Sequence, residues 1–405
     1  MENRAKLVVL LGTLCSLGPL SVDTYLPAFP AIAREFGVGD SPVQLSLTTF
    51  IIGLSVGQLV IGTLSDSWGR RRPLLIGIGA YVVVSLVCAV APDAYALAGL
   101  RLLQGLGVAA GFVVSLAVAR DRFEGLAMAR FMSLLMLVNG LGPVVAPVLG
   151  GQLLRFTSWR GTFVALAAIA LVLLVAAAAW LPETLPRDKR RPADLGSTLR
   201  VFRGLLADRR FVGYALAAAL SLGALFAYVA GSAFVLQGVF GLSPQTFSLV
   251  FAANSVAIFL AGLLNTALTG RVLPKSLLRT GLVTGALGGL GLLGGALAGG
   301  GLVAFLVPLF AVTVSVGLLM PNAASLALAR HPEAAGSASS VLGVTQFLLG
   351  GLLAPLVGAA GSASVLPMVS VMSVATVLAL VLGLVLTRGD AGITEADPEP
   401  ASASA

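Results

Sequence analysis

One acid stands out in this chain: in "CSLGPLSVDTYLPAFP", residues 15–30, Asp23 sits inside an otherwise apolar run. A carboxyl group at membrane depth costs about 2.5–3.5 kcal/mol on insertion scales, so it is retained where it does work or is paired. Burial favours its protonated form and a nearby guanidinium favours the carboxylate. Such a group is suited to taking up and releasing a proton. The basic residue that lies deep inside an apolar run is Arg101, in "LRLLQGLGVAAG". At 1.5 Å per residue, Asp23 lies roughly 24 Å along an outward first helix and Arg101 about 10 Å below the outer surface on an inward fourth. The two depths agree, which admits either a proton-handling pair or a permanent ion pair joining two helices. Pro19 and Pro27 flank the acid, and backbone irregularity at depth survives only beside protein or a cavity.

These residues must be held by membrane-spanning helices. The 405 residues are 58% hydrophobic and 10% charged, whereas soluble domains carry about a quarter charged residues. Apolar runs of about 20 residues suit helical crossings and do not suit the ten-residue alternating strands of a barrel. Twelve helices are expected, at 7–29, 44–64, 74–91, 94–119, 131–154, 162–181, 211–236, 247–268, 276–298, 302–323, 338–359 and 365–386. With both termini cytoplasmic, every Lys and Arg outside the spans lies on the inner side except Arg34, Arg155 and Arg160, as the positive-inside rule requires. The net charge of +8 therefore reflects topology, and no nucleic-acid partner is needed. The long hydrophilic connection 182–210 separates the helices six and six, giving bundles at 1–181 and 211–388 and a disordered tail at 389–405.

Other motifs cluster at helix ends. "GTLSDSWGRRRPL" sets Gly62, Asp66, Gly69, Arg70, Arg71 and Arg72 in one cytoplasmic turn, echoed weakly by "GLLNTALTGRVLP" at 262–274, where Thr266 replaces the acid. "NGLGPVVAPVLGG" places Gly142, Pro143, Pro147, Gly150 and Gly151 in the fifth span. Small residues permit close packing, and the prolines suggest a bend. Cys15 and Cys88 lie in apolar runs and indicate no disulfide framework. Pro274 occupies the place of the second glycine in "GRVLPKS", so no phosphate loop forms there. His331, the single histidine, is expected as an ordinary surface residue in an inner loop, with no metal cluster and no catalytic set.

The helix plan and these motifs resemble the major facilitator superfamily, and "SVDTYLPAFP" is similar to the drug:proton antiporters of the Bcr/CflA type. The resemblance covers essentially residues 7–386. It implies an all-α polytopic protein of the bacterial cytoplasmic membrane, with the major facilitator fold of two six-helix bundles. It also implies proton-driven export of small hydrophobic antibiotics, amphenicol-like among them, with no cofactor, no enzymatic activity and a functional monomer in membrane lipid. In that pattern Asp23 and Arg101 couple the proton, Asp66 and Arg70 to Arg72 lock the halves, and the fifth-span glycines and prolines form the antiporter motif. Ser67 departs from it, since a basic residue often follows the acid. The cavity candidates so implied are Asp23, Tyr25, Phe50, Gln104, Asn139, Phe226, Tyr228, Asn254 and Gln346; core packing explains each as readily. An importer of a sugar or metabolite, or a non-transporting receptor, remains an alternative at this stage.

Overall fold

The computed structural model describes residues 2–123, 125–186, 203–331, 335–359 and 364–389. Its helices are α1 (Glu2–Asp23), α2 (Phe29–Phe36), α3 (Asp40–Trp68), α4 (Arg71–Cys88), α5 (Ala94–Arg122), α6 (Gly125–Leu153), α7 (Trp159–Trp180), α8 (Arg209–Phe234), α9 (Pro244–Leu268), α10 (Pro274–Leu297), α11 (Leu302–Leu328), α12 (Ala335–Ala359) and α13 (Leu366–Leu386). Eleven spans among the described residues are long and apolar enough to cross a membrane, and a shorter apolar helix, Leu137–Leu153, lies within α6. No named strand occurs among the described residues. Much of the central connection (187–202) and most of the tail (390–405) lie outside the described residues.

Each expected span has its helix, with one correction. The run 7–29 is not one helix: α1 stops at Asp23, a 3₁₀ turn follows at Leu26–Ala28, and α2 carries the chain on to Phe36. Hydropathy continues across the stop, but hydrogen bonding does not. Pro27 and Pro30 have no N–H, so the carbonyls of Asp23 and Leu26 lose the donors four residues ahead that a helix needs. Between α10 and α11, which a short glycine-rich stretch separates, Gly299 at φ +68° supplies the left-handed turn.

The chain packs as two compact units. One comprises Met1–Asp194, Phe226–Val256 and Gly350–Val371; the other comprises Leu195–Leu225, Ala257–Leu349 and Met372–Ala405. The first has a core of α1, α4, α5, α6 and α7 side chains, including Leu11, Leu14, Ile78, Val114, Phe131 and Ala170. The second centres on Tyr214, Leu278, Leu319, Leu342 and Ala379. Glycines set the closest approaches: a methyl on Gly53 would strike the Leu102 carbonyl, and one on Gly105 the Phe50 carbonyl. The resulting tight crossing of α3 and α5 brings Phe50 beside Arg101.

Candidate functional site

Asp23 ends α1 with 6% of its surface exposed. Its carboxyl group makes no hydrogen bond or ion pair among the described residues. Two neighbouring hydroxyls share this condition: Thr24 Oγ1 and Tyr228 Oη are buried without hydrogen-bond partners. Tyr228 lies within electrostatic reach of Asp23 and stacks on Phe251, with ring centroids 5.3 Å apart and an interplanar angle of 14°. Buried polar atoms are normally satisfied. Three polar groups without hydrogen-bond partners around one helix break therefore make a place built for an occupant, whether proton, water or ligand.

Arg101 is fully buried and turned elsewhere. Its Nη1 donates to Gln104 Oε1 and its Nη2 to the Ser21 carbonyl at 3.2 Å. The guanidinium carbon lies 4.1 Å from the Phe50 ring centroid, 4.9 Å from that of Tyr25 and 5.8 Å from that of Phe163. The expected meeting of Asp23 and Arg101 is thus not an ion pair in this structure, and the break explains why. Within a continuous helix the Ser21 carbonyl would accept the Tyr25 N–H, but that N–H goes to Val22 O at 3.3 Å. Arg101 takes the freed carbonyl, and three aromatic faces supply the negative potential a carboxylate would have given. Gln104 passes the connection on, its Nε2 donating to Ser85 Oγ at 2.7 Å. Ser85 Oγ donates to the Tyr81 carbonyl, and the Tyr81 hydroxyl meets Ser21 Oγ at 2.6 Å. A closed polar loop through α1, α4 and α5 therefore fixes the end of α1 on which Asp23 stands. Tyr25 is anchored separately, by Ser46 Oγ at 2.8 Å.

The fifth-span motif packs on the same break. A methyl on Gly150 would collide with the Thr24 carbonyl, one on Gly142 would press Pro19, and one on Gly151 would meet Ser248. Pro143 and Pro147 lie inside α6, where each leaves a carbonyl without its helical donor. Among the other cavity candidates, Asn139 and Phe226 are half-buried, Asn254 donates to its own helix at Val250 O (3.0 Å), and Gln346 belongs to the other compact unit.

The turn between α3 and α4 is organised around Arg70. Gly69, at φ +95°, allows the chain to reverse there. Arg70 Nη1 bonds Asp66 at 2.6 Å and Ser65 Oγ at 2.9 Å, and its Nε bonds Asp121 at 3.0 Å. Glu183 accepts the backbone N–H groups of Arg70 (2.8 Å) and Arg71 (3.3 Å), capping the N-terminus of α4. Burial pushes the Glu183 carboxyl up, but four backbone N–H groups outweigh it and hold the pKa below its usual value. Arg71 reaches the Ala178 carbonyl at the end of α7, Arg72 is exposed, and Gly62 is half-buried on α3. Sequence reasoning passed over Asp121 and Glu183; each stands at the end of an apolar run beside bases or prolines, which marks a helix end but names no partner. It also misjudged His331. That residue is partly buried, 3.0 Å from Asp208 and edge-on to Phe211, and Asp208 also binds Arg330 at 2.7 Å. Burial raises the Asp208 carboxyl, yet Arg330, the Arg210 N–H and His331 bring its pKa down to about 2. No group of side chains suited to a metal occurs among the described residues.

Comparison with known proteins finds relatives along nearly the whole chain. The Major Facilitator Superfamily profile matches residues 9–355. The chain is 39% identical to YdgK, an uncharacterized MFS-type transporter of Bacillus subtilis, over 96% of this chain and 98% of that one. It is 32% identical to a bicyclomycin resistance protein homolog of Haemophilus influenzae, over 94% and 96%. It is 33% identical to a chloramphenicol resistance protein of Pseudomonas aeruginosa, over 87% and 83%. Among solved structures, the nucleoside transporter NupG shares the fold at TM-score 0.78 and 13% identity, covering 95% of this chain and 99% of that one.

Proposed function

Because the chain belongs to the major facilitator superfamily, and within it to the Bcr/CflA type, we propose that this multi-pass membrane transporter exports small hydrophobic antibiotics in exchange for protons. The observation that carries the reading is Asp23, a buried carboxyl without a cation at the broken end of α1. A carboxylate in that position is costly, and either a proton or a polar substrate group relieves the cost. Occupancy by one therefore disfavours occupancy by the other. Tyr228 and Phe251 offer an aromatic wall beside it for an apolar drug body. Arg101 serves this exchange by holding the Ser21 carbonyl, which keeps the Asp23 end of α1 in place.

Transport proceeds by alternating access, with residues 1–181 and 211–388 rocking as two bundles in the cytoplasmic membrane and both termini inside. One proton exchanged for a neutral drug carries one charge inward, and ~100 mV then supplies ~2.3 kcal/mol, or roughly fortyfold accumulation. The relatives named for resistance to bicyclomycin and chloramphenicol support these compounds as first substrates to try. The test is drug-triggered proton release from purified protein in weak buffer, using both antibiotics. Release by wild type and none by Asp23→Asn, with drug binding retained, is the expected result. Equal release by both proteins would place the exchanged proton elsewhere and overturn the assignment.

A further inference from the structure

A second acid lacks a partner, at the outer end of α3. Asp40 is the first residue of that helix, and its Oδ2 is buried with no hydrogen-bond partner. One turn on, Gln44 is 1% exposed and its Oε1 is likewise buried and unpartnered. The two oxygens stand at i and i+4, the spacing that places side chains on one helix face. Gly358 of α12 presses on that turn: a methyl there would strike Gln44 Oε1 and crowd the Ser41 Cα. Two unpartnered acceptors one turn apart, on a half-buried Asp40 and on a Gln44 closed over by a glycine, make an arrangement that one proton would complete.

The nearby charges do not supply a counterion. On α2, Arg34 bonds the Pro30 carbonyl, and Glu35 is held by Trp159 and Arg160. Arg160 is otherwise occupied by the carbonyls of Ala89 and Ala91. On α5, Asp93 caps its own helix through the Tyr95 and Ala96 N–H groups, and Arg101 is committed to Gln104 and Ser21. In the half of α4 nearest Asp40 the titratable groups are Tyr81, bonded to Ser21, and the buried Cys88, while Arg71 and Arg72 stand at its opposite end. Neither α12 nor the sequence from there to α13 contains an ionisable side chain.

We propose that Asp40 is a proton-binding gate site: its protonated carboxyl donates to Gln44 Oε1 while the outer ends of α3 and α12 are packed together, and loss of that proton favours their separation. Once water reaches the site, the N-terminus of α3 stabilises the carboxylate. The proton enters from the outside on closure and returns there on opening. It therefore adds nothing to the exchange at Asp23, but it makes opening depend on external pH. This rests on the alternating-access reading, since a protein that never opens outward has no use for such a gate.

The experiment combines infrared spectroscopy with hydrogen–deuterium exchange on the full chain, and needs no drug. In an Asp23→Asn background at neutral pH, the carbonyl absorption of a protonated carboxylic acid should remain. It should vanish on adding Asp40→Asn, and Gln44→Met should move it to the frequency of a carboxyl without an acceptor. Outer-end amides, corrected for intrinsic exchange, should open up to about tenfold more per pH unit as pH rises, as one-proton linkage dictates. Asp40→Asn should abolish that slope. An absorption that survives Asp40→Asn, or one absent from the start, would overturn the proposal; so would a slope unchanged in Asp40→Asn. The last two results would mean that the Gln44 amide turns its Nε2 to an ionised Asp40, or that another group gates. Drug-triggered proton release at Asp23 is a separate measurement and stands or falls independently.

Discussion

Replacing Arg101 separates two ways in which a buried cation can act. If it acts by charge, Arg101→Lys keeps the charge and spares function. If it acts by geometry, Lys fails nearly as badly as Met, because one ammonium cannot bond Gln104 Oε1 and the Ser21 carbonyl together while keeping its charge over the rings of Phe50 and Tyr25. One of the two acceptors is then stranded, at about 1–3 kcal/mol. Weakened cation–π contact adds about 1 kcal/mol. The total of roughly 2–4 kcal/mol corresponds to a change on the order of a hundredfold in how firmly the end of α1 is held. Exchange of the amides of residues 20–28 reads this directly: both Lys and Met variants should speed it to similar extents, with export falling alongside. A Lys variant that exchanges and exports like wild type, beside a Met variant that does neither, would show that charge alone matters and refute the reasoning.

Two further expectations concern the ion pairs at helix ends. Arg70 binds Asp121, whose side chain is 16% exposed, and Asp66, which is 60% exposed; Asp121→Asn should therefore cost about 1–3 kcal/mol in detergent thermal unfolding, and Asp66→Asn at most about 1 kcal/mol. Asp208 has a folded pKa lowered to about 2, so its contribution is complete above the ordinary Asp value of about 3.9 and lost as pH falls toward 2. Wild type should lose thermal stability through that acidic window, and Asp208→Asn, already weaker at neutral pH, should lose less; parallel curves for the two proteins would contradict the assignment.

The residues around Asp23 show what an amino-acid string conveys about such a site. Hydropathy and arginine placement are one-dimensional signals, and they located the spans to within a few residues; intramembrane charge picked out Asp23 and Arg101 for the same reason. Helix rise converts sequence position into depth, but depth carries no information about azimuth. Two residues at one level can face different ways, and here Arg101 faces the Ser21 carbonyl and three rings. The break that redirected it was nonetheless written in the chain. Pro27 and Pro30 each delete a donor, so the carbonyls near Asp23 had to find other partners. The break that follows also releases the Ser21 carbonyl from the Tyr25 N–H; asking where that carbonyl goes would have anticipated a donor from another helix, and Arg101 was the one guanidinium at that depth. Asp121 and Glu183 offered no such handle, because their link to Arg70 spans 51 and 113 residues and arises only when α3, α4, α5 and α7 converge. What can be recovered from sequence is thus the local shortage of a hydrogen-bond partner; which distant residue meets it is decided by packing.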